Sequence, residues 1–462
     1  MYERLPAPFG LVRYGVAPDH PEVKSVIHKF ESVAEDPRVR LLCNVDIGKD
    51  VTLHDLRRHY HAMVLCYGAG GERKLSVPGS DLPQCYSGRD FVAWYSAHPD
   101  YADVTYDFSN IKSVAVIGNG NVALDIARIL ATPTEVLAKT DISSRAIAVL
   151  ERSAIKDIHI IGRRGPVQAA FTNKELREII SIPGCNVNIP AEFLELDPIS
   201  AQEAKEKRPV KRRLSLLATG QQAEKSSTAS KTLHFHFCRS PTRLLAKEGC
   251  PNQLGALELE CNDLTTTTQS TGATDTVSAA DLRTRGTGRY ELLPCDALFY
   301  SIGYRGRPMA GLPFDDVSGT MPNRLGRVCE SAQAALSSTG DALPGVYVSG
   351  WLKRGPSGII GTNKWDSEET ANSIVEDLLS GGAMMTPPAA EVQLDSEQDA
   401  EAKAGFDGIA LGLSTEVKRK IVTFDEFKRI ERKEIADGEQ HGKVAEKIHT
   451  TEDMVRVAHQ DV

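Results

Sequence analysis

Residues 113–130 read SVAVIGNGNVALDIARIL. A β-prone apolar run ends at Gly118, and an apolar stretch of helical character follows from about Asn121. Between them, Gly118-Asn119-Gly120-Asn121-Val122-Ala123 fits G-x-G-x-x-G/A in the strand–turn–helix setting that a dinucleotide-binding fingerprint requires. The first glycine makes the tight turn, the second lets backbone approach a pyrophosphate, and a small third residue brings the helix close to its strand. The start of that helix offers unpaired N–H groups and partial positive charge to phosphates. A Gly-rich turn without a ligand has the same composition, so the next strand has to decide.

That strand is DIHIIGRRGP (157–166), apolar up to Gly162 and followed by Arg163 and Arg164. NAD sites carry an acid near this point for the ribose diol, whereas arginine accommodates a 2′-phosphate. Two adjacent guanidinium groups strengthen the preference, because each binds phosphate bidentately. A solvated surface pair would look alike in isolation. Directly after a dinucleotide turn, the pair reads as an NADP(H) site.

Outward from this unit the pattern repeats. AMVLCYG (62–68) and CDALFYSIGY (295–304) read as buried parallel strands, and the stretch 345–379 reads as strand, loop and helix. TNKELREII (172–180) reads as a capped helix, with Thr172 as N-cap and Glu175 at the capping-box position. Strands alternating with helices imply an α/β class with parallel sheets. From 200 to 290 the pattern weakens. KRPVKRR (207–213) is a basic run, while ATGQQAEKSSTASK (218–231) and TTTTQSTGATDT (265–276) read as exposed low-complexity loops. Beyond 382 the chain is charged and Pro-containing, with VTFDEFKRIERKEI (422–435) as its one good helix candidate.

Composition narrows the function classes. The chain has 462 residues, 41% hydrophobic and 25% charged, enough for two domains and a tail. No apolar run approaches the roughly 20 residues of a membrane-spanning helix. A net charge of −8 argues against general nucleic-acid binding and leaves a local basic patch open. The nine cysteines form no CxxC pair, so neither a zinc site nor a redox dithiol is indicated; scattered small buried thiols in a reducing compartment are expected. No metal ligands are assigned. The N-terminus shows no secretory signal and no Arg-rich, acid-free presequence.

Residues 350–362, GWLKRGPSGIIGT, place Trp351 before a flexible basic loop and Gly358-Ile359-Ile360 before a helix. Amides at such a helix start can face the polar edge of a flavin ring and accept its developing negative charge. An ordinary loop of an α/β protein is equally compatible with the composition. Near the front, Tyr2-Glu3-Arg4 precedes a Pro-rich loop. Glu3 has the character of a carboxylate that accepts ribose hydroxyls at the end of a second strand, or of a surface acid.

Four stretches together, YERLPAPFGLVRYGVAPDHPEVK (2–24), GNGNVALDIARIL (118–130), GRRGPVQAAFTNKELRE (162–178) and SGWLKRGPSGIIGTNKWDS (349–367), resemble the adrenodoxin reductase family, mitochondrial NADPH:ferredoxin oxidoreductases. The resemblance is dense over 1–190 and 290–375 and looser elsewhere. It implies two Rossmann-like dinucleotide-binding domains, with the NADP domain (106–315) inserted into a discontinuous FAD domain (1–105 and 316–380) and a tail (381–462) associated with the latter. By motif, Glu3 would bind the FAD ribose, Leu11 and Ile47 would line the FAD site, and Trp351, Gly358, Ile359 and Ile360 would hold the isoalloxazine end. Gly118, Asn119, Gly120, Asn121, Val122, Arg163, Arg164, Glu175 and Gly358 would serve NADPH. His20 and Asp125 match polar residues near the flavin that assist proton movement, although His20 also suits a purely structural role.

The implied activity is hydride transfer from NADPH to FAD and single-electron delivery to a [2Fe–2S] ferredoxin. That acidic partner would dock on Arg177, Arg208, Lys211, Arg212 and Arg213. The competing readings are an NADP-binding remnant with impaired FAD binding and an NADPH-dependent flavoprotein monooxygenase. The implied location is the mitochondrial matrix or a peripheral site on the inner membrane. The family's first strand, GxGxxG turn and following helix have no counterpart before Tyr2. An incomplete front is expected, with weak FAD binding as the alternative.

Overall fold

A computed structural model describes residues 1–266, 278–337, 342–381, 384–385 and 405–460. Its largest sheet has six parallel strands in the order Cys85–Ser87, Ala297–Tyr300, Ser113–Ile117, Asp157–Ile161, Lys231–His236 and Cys185–Asn188. The quoted strand 113–117 is central, and that explains its uninterrupted apolar run. Val114 and Val116 pack on one face with Ile158, Ile160, Leu233 and Phe235, against the helices. Ala115 and Ile117 pack on the other with Ile161 and Leu298, under Leu244, Leu254, Leu257 and Leu259. These four leucines come from a three-stranded antiparallel sheet, Arg239–Lys247, Cys250–Thr265 and Arg283–Pro294. A strand covered on both faces has no polar face to alternate.

Apart from one two-stranded pair, the remaining strands among the described residues form two smaller sheets. One is ordered Asn323–Arg324, Arg327–Cys329, Ala342–Val348, Met63–Leu65; the other Tyr2–Glu3, Leu42–Cys43, Val422–Thr423. Their cores join Leu42, Val45, Leu65, Val328, Val346 and Val348. Two chain crossings connect this half with the six-stranded sheet, and they pair antiparallel as Gly71–Glu72 with Tyr304–Arg305.

Several expectations need correction. Met63–Leu65 is paired on one side only among the described residues, and Val64 is 44% exposed, so the 62–68 run is an edge strand rather than a fully buried one. The basic run KRPVKRR lies on a helix, Arg208–Gln222, with Pro209 in its first turn, where a missing N–H costs nothing, and that helix takes in the first residues of the expected 218–231 loop. The 267–276 part of the second low-complexity stretch lies outside the described residues. Among the described residues the C-terminal region holds three helices besides the expected one: Gly405–Gly412, Thr415–Lys420 and Thr451–Ala458. The expected helix runs Phe424–Gln440, with a reciprocal capping box between Thr423 and Glu426. It packs Phe427 and Ile430 against Ala7, Leu41 and Cys43. The strand Cys85–Ser87 and the helix Gly88–Tyr95, which a division at 105/106 groups with the first segment, belong to the six-stranded sheet and its core. All nine cysteines are free thiols, and Cys66 is exposed.

Candidate functional site

The turn after Ser113–Ile117 is held open by backbone geometry. Gly118 has φ +149°, and a Cβ there would stand 2.4 Å from the Ser301 carbonyl oxygen, so only glycine fits. Its N–H donates to the Ile161 carbonyl at 2.9 Å, which locks the turn to the neighbouring strand end. Gly120 is the N-cap of the Asn121–Ala131 helix, without a capping side chain and with open space where its Cβ would be. The first-turn N–H groups therefore face a clear approach, the arrangement that binds a phosphate. Ala123 is fully buried beneath them, while Val122 is half-buried.

Asn119 and Asn121 tie this turn to the segment beyond the arginines. The Asn119 carbonyl accepts from the Ala170 N–H at 2.8 Å, and Asn121 Oδ1 accepts from the Thr172 N–H at 2.9 Å. The buried Asn119 amide has no partner for either polar atom, in a place where a bound nucleotide could satisfy both. Asn121 takes over the Thr172 N–H, so the expected capping box is only half formed. Thr172 Oγ1 still accepts from the Glu175 N–H, but the Glu175 carboxylate goes to Arg128.

Arg163 is exposed and Arg164 half-buried at the end of Asp157–Ile161. The Arg163 carbonyl accepts from Asn262 Nδ2 at 2.9 Å, which anchors the turn on the antiparallel sheet. Burial, followed by the charges of Arg163 and Arg283, pushes the Arg164 guanidinium below its ordinary value. No ion pair to any of these three arginines occurs among the described residues. The Arg163–Arg164 pair, without an ion pair among the described residues and beside an open helix N-terminus, suits a nucleotide carrying a 2′-phosphate.

His20, Asp125 and Glu175 meet around one residue, Arg128. Its Nε and Nη2 fork onto Asp19 at 2.6 and 3.0 Å, and Nη1 donates to Glu175 at 3.0 Å. Asp125 Oδ1 lies 2.8 Å from Nη2, off the hydrogen-bond direction, as an ion contact without a hydrogen bond. His20 Nε2 is 2.7 Å from Glu178 Oε2 and 3.7 Å from Glu175 Oε2. Ligating atoms of His20, Glu175 and Glu178 lie within 4.8 Å of one another, but Arg128 already serves these acids as counter-ion. Burial pushes the Asp125 carboxyl up to about 6 against the pull of Arg128. Tyr95, whose hydroxyl has no partner, sits close to Asp125.

Tyr304 carries the site across to the other half. Its ring stacks on Trp351 at 5.6 Å, and its phenol, raised by burial, feels the charges of Arg89 and Asp125. Trp351 opens the short helix Trp351–Arg354, after Gly350 at φ +74°. Asp366 accepts from the Gly350 N–H and from Ser349 Oγ, and it pairs with Lys353 at 3.3 Å. Gly358 has φ +81°, Ile359 is exposed and Ile360 half-buried, ahead of the Thr362–Leu379 helix. Glu3 turns back on its own loop, with Oε1 accepting from the Leu5 N–H at 2.9 Å, and burial raises its carboxyl. Leu11 is exposed on the Gly10–Tyr14 helix, and Ile47 borders the core of the smaller sheets.

No protein-family model matches the chain. Curated relatives do. The mitochondrial NADPH:adrenodoxin oxidoreductase of Arabidopsis thaliana is 40% identical over 459 residues, 99% of this chain and 89% of the relative. The human protein of that name is 38% identical over 471 residues, covering 99% and 86%. The NADPH-ferredoxin reductase FprA of Mycobacterium tuberculosis is 39% identical over 458 residues, covering 99% and 91%. The structure of that FprA in complex with NADPH superposes with a TM-score of 0.84 at 37% identity, covering 100% of this chain and 92% of the other. The chain belongs to the adrenodoxin reductase family.

For a member of this family, motif reading still missed much of the site. Arg128 had a signal, a lone cation three residues after the lone acid Asp125 in the helix VALDIARIL, whose other residues are apolar. Asp19, Tyr304 and Asn262 had none, since their partners lie far away in the chain, and Asp366 meets its partners Ser349, Gly350 and Lys353 only through the fold of the 349–367 loop. Of the expected basic patch, Arg177, Arg208, Lys211 and Arg212 are exposed. Arg213 is half-buried and already engaged: its Nη1 donates to the Pro166 and Val167 carbonyls, and its guanidinium lies over the Phe171 ring.

Proposed function

We propose that this chain works as an NADPH-dependent ferredoxin reductase, an FAD enzyme that draws hydride from NADPH and delivers single electrons to a [2Fe–2S] ferredoxin. The supporting observation is the partnerless Arg163–Arg164 pair beside the open Gly118–Ala123 turn, in a chain of this family. Gly118 to Val122 hold the NADPH pyrophosphate, and the two arginines hold the 2′-phosphate. Glu175 and Gly358 complete the NADPH contacts. Glu3 holds the flavin ribose, Leu11 and Ile47 line that site, and Trp351 with Gly358, Ile359 and Ile360 orients the ring. Bound FAD supplies the conversion of one two-electron hydride into two single electrons. The chain itself contributes orientation, exclusion of water, and proton handling at Asp125 and His20.

The division proposed is an NADP-binding part over 106–315, joined by residues 85–95, and a flavin-binding part over 1–105 and 316–380 with its tail 381–462. Arg177, Arg208, Lys211 and Arg212 form the ferredoxin surface, now without Arg213. The Asn173 side chain donates to the Pro209 carbonyl, which sets the helix of Arg177 beside that of Arg208 to Arg212. The plant and human relatives carry the name mitochondrial, which supports a mitochondrial location at the matrix or inner-membrane face. Among the described residues no helix is long and apolar enough to cross a membrane.

The test is a visible spectrum of the purified chain, followed by NADPH-driven cytochrome c reduction with and without ferredoxin. Flavin absorption and a strict ferredoxin requirement are expected. Absence of flavin favours an NADP-binding remnant, and ferredoxin-independent oxygen consumption favours a monooxygenase.

A further inference from the structure

Oxidation of one NADPH by two one-electron acceptors frees one proton, so a reductase of the proposed kind needs a route for it. The buried Arg128, 3% exposed, sits where that route would begin. It touches Asp19 from the N-terminal loop, Asp125 from its own helix and Glu175 from the Asn173–Ile179 helix. Glu178 is a fourth carboxylate within 3.9 Å of the same guanidinium, and His20, 2.7 Å from Glu178, closes the cluster.

We propose that Arg128 is a positioning residue for this chemistry: its fork pins the Asp19–His20 corner to the NADP helix, and its charge sets the ionisation of Asp125. The inference rests on the ferredoxin-reductase reading. The groups facing Asp125 come from every element packed on it. They are Arg128, Glu175, Asp19 with His20, Tyr95 and Tyr304. Arg128 is the cation that favours the ionised carboxylate most, while burial, Glu175 and Asp19 oppose it. An acid balanced near neutrality can accept a proton and pass it on. Without Arg128 the buried Asp125 carboxyl would lose its nearest cation and hold its proton to higher pH.

The experiment follows NADPH-to-ferricyanide turnover of FAD-loaded wild type, Arg128→Met, Asp19→Asn and Asp125→Asn from about pH 5 to about pH 9. Wild type should show an acid limb near 6, the value to which Asp125 is pushed. Arg128→Met should move that limb up by about 1–3 pH units, the usual effect of an arginine on a neighbouring acid. Asp19→Asn removes an opposing carboxylate and keeps Arg128, so the limb should move down. Asp125→Asn should abolish it. Shifts of opposite sign are not produced by a merely structural role. A uniform loss at all pH values, or a limb that stays in place in both Arg128→Met and Asp19→Asn, overturns the proposal. Should Arg128→Met fail to fold, Arg128→Lys decides: it keeps the cation and loses the fork onto Asp19, so a limb near its wild-type place with lowered turnover supports the proposal and unchanged turnover overturns the positioning role. Should wild type show no turnover at all, the functional reading falls instead. The same shifts are then sought in the pH dependence of NADP⁺ affinity, where an unmoved limb overturns the role of Arg128.

Discussion

Replacing Arg164 by alanine should separate NADP⁺ from NAD⁺ binding. Arg164 is half-buried beside Arg163 and Arg283, and no carboxylate among the described residues pairs with it. Its charge is thus under repulsion until an anion arrives. A hydrogen bond to a charged group contributes about 1.5–3 kcal/mol, so loss of Arg164 should cost NADP⁺ about 2 kcal/mol. At about 1.4 kcal/mol per tenfold, that is roughly a 30-fold weaker complex. Arg163 is exposed and more screened, which brings the double replacement to roughly 3–4 kcal/mol. NAD⁺, lacking the phosphate, should change less than about twofold. Titration of both nucleotides gives the ratio directly. Thermal unfolding gives an independent sign: without nucleotide, relief of repulsion leaves the midpoint unchanged or higher. At a concentration of about 100 times the wild-type Kd, stabilisation by NADP⁺ should drop from about 2.7 to about 0.9 kcal/mol. Equal weakening of both nucleotides, or a lower midpoint without ligand, would refute the reasoning.

Gly118→Ala should cost NADP⁺ affinity and stability together, because a Cβ would stand 2.4 Å from a backbone oxygen at a φ of +149°. The expected destabilisation is about 2 kcal/mol or more, read by urea unfolding, and a neutral outcome would mean the turn relaxes freely. Acid should loosen the six-stranded sheet through His159 and His236, 3.1 Å apart on adjacent strands. Burial first, then the neighbouring histidines, hold them down at about 3 and about 4. The fold keeps both neutral while the unfolded chain charges near pH 6.5, so their stabilisation is present above that pH and lost as pH falls toward the folded values. His159→Gln should flatten the fall in unfolding free energy between about pH 6.5 and pH 4, and an unchanged slope would exclude the pair as its source. Arg13 and Glu434, both buried, meet at 2.6 Å and join the Gly10–Tyr14 helix to the Phe424–Gln440 helix. Glu434→Gln strands a buried cation and should cost about 3–5 kcal/mol, whereas Arg13→Met with Glu434→Leu should recover most of it. A double variant no more stable than the single one would place the loss elsewhere.

Local chemistry made part of this protein legible without a structure. The Gly118–Ala123 turn, its flanking strand and helix, and Arg163–Arg164 declare themselves because their function depends on residues within a few positions of one another. Backbone conformation at Gly118 and Gly120, the strand's apolar run and the arginines at the next strand end are all short-range properties. The same holds for the capping box at Thr423, where the two partners are three residues apart.

The antiparallel sheet of 239–294 escaped, because much of it is exposed and most of its buried apolar residues cover one face of a distant sheet. Thr172 illustrates the limit well: its sequence neighbour Glu175 is the local capping partner, yet Asn121, 51 residues away, takes the N–H, and Arg128 takes the carboxylate. Arg213 reads as surface charge in a basic run, but two carbonyls and an aromatic face brought by folding turn it inward. Sequence alone therefore determined which nucleotide turn is present and which charge follows it, since φ, strand pattern and side-chain type are local. Tertiary structure alone decided which acids share Arg128, how Tyr304 links Asp125 to Trp351, and which cations stay on the surface. Those depend on burial and long-range charge, and neither exists until distant segments pack.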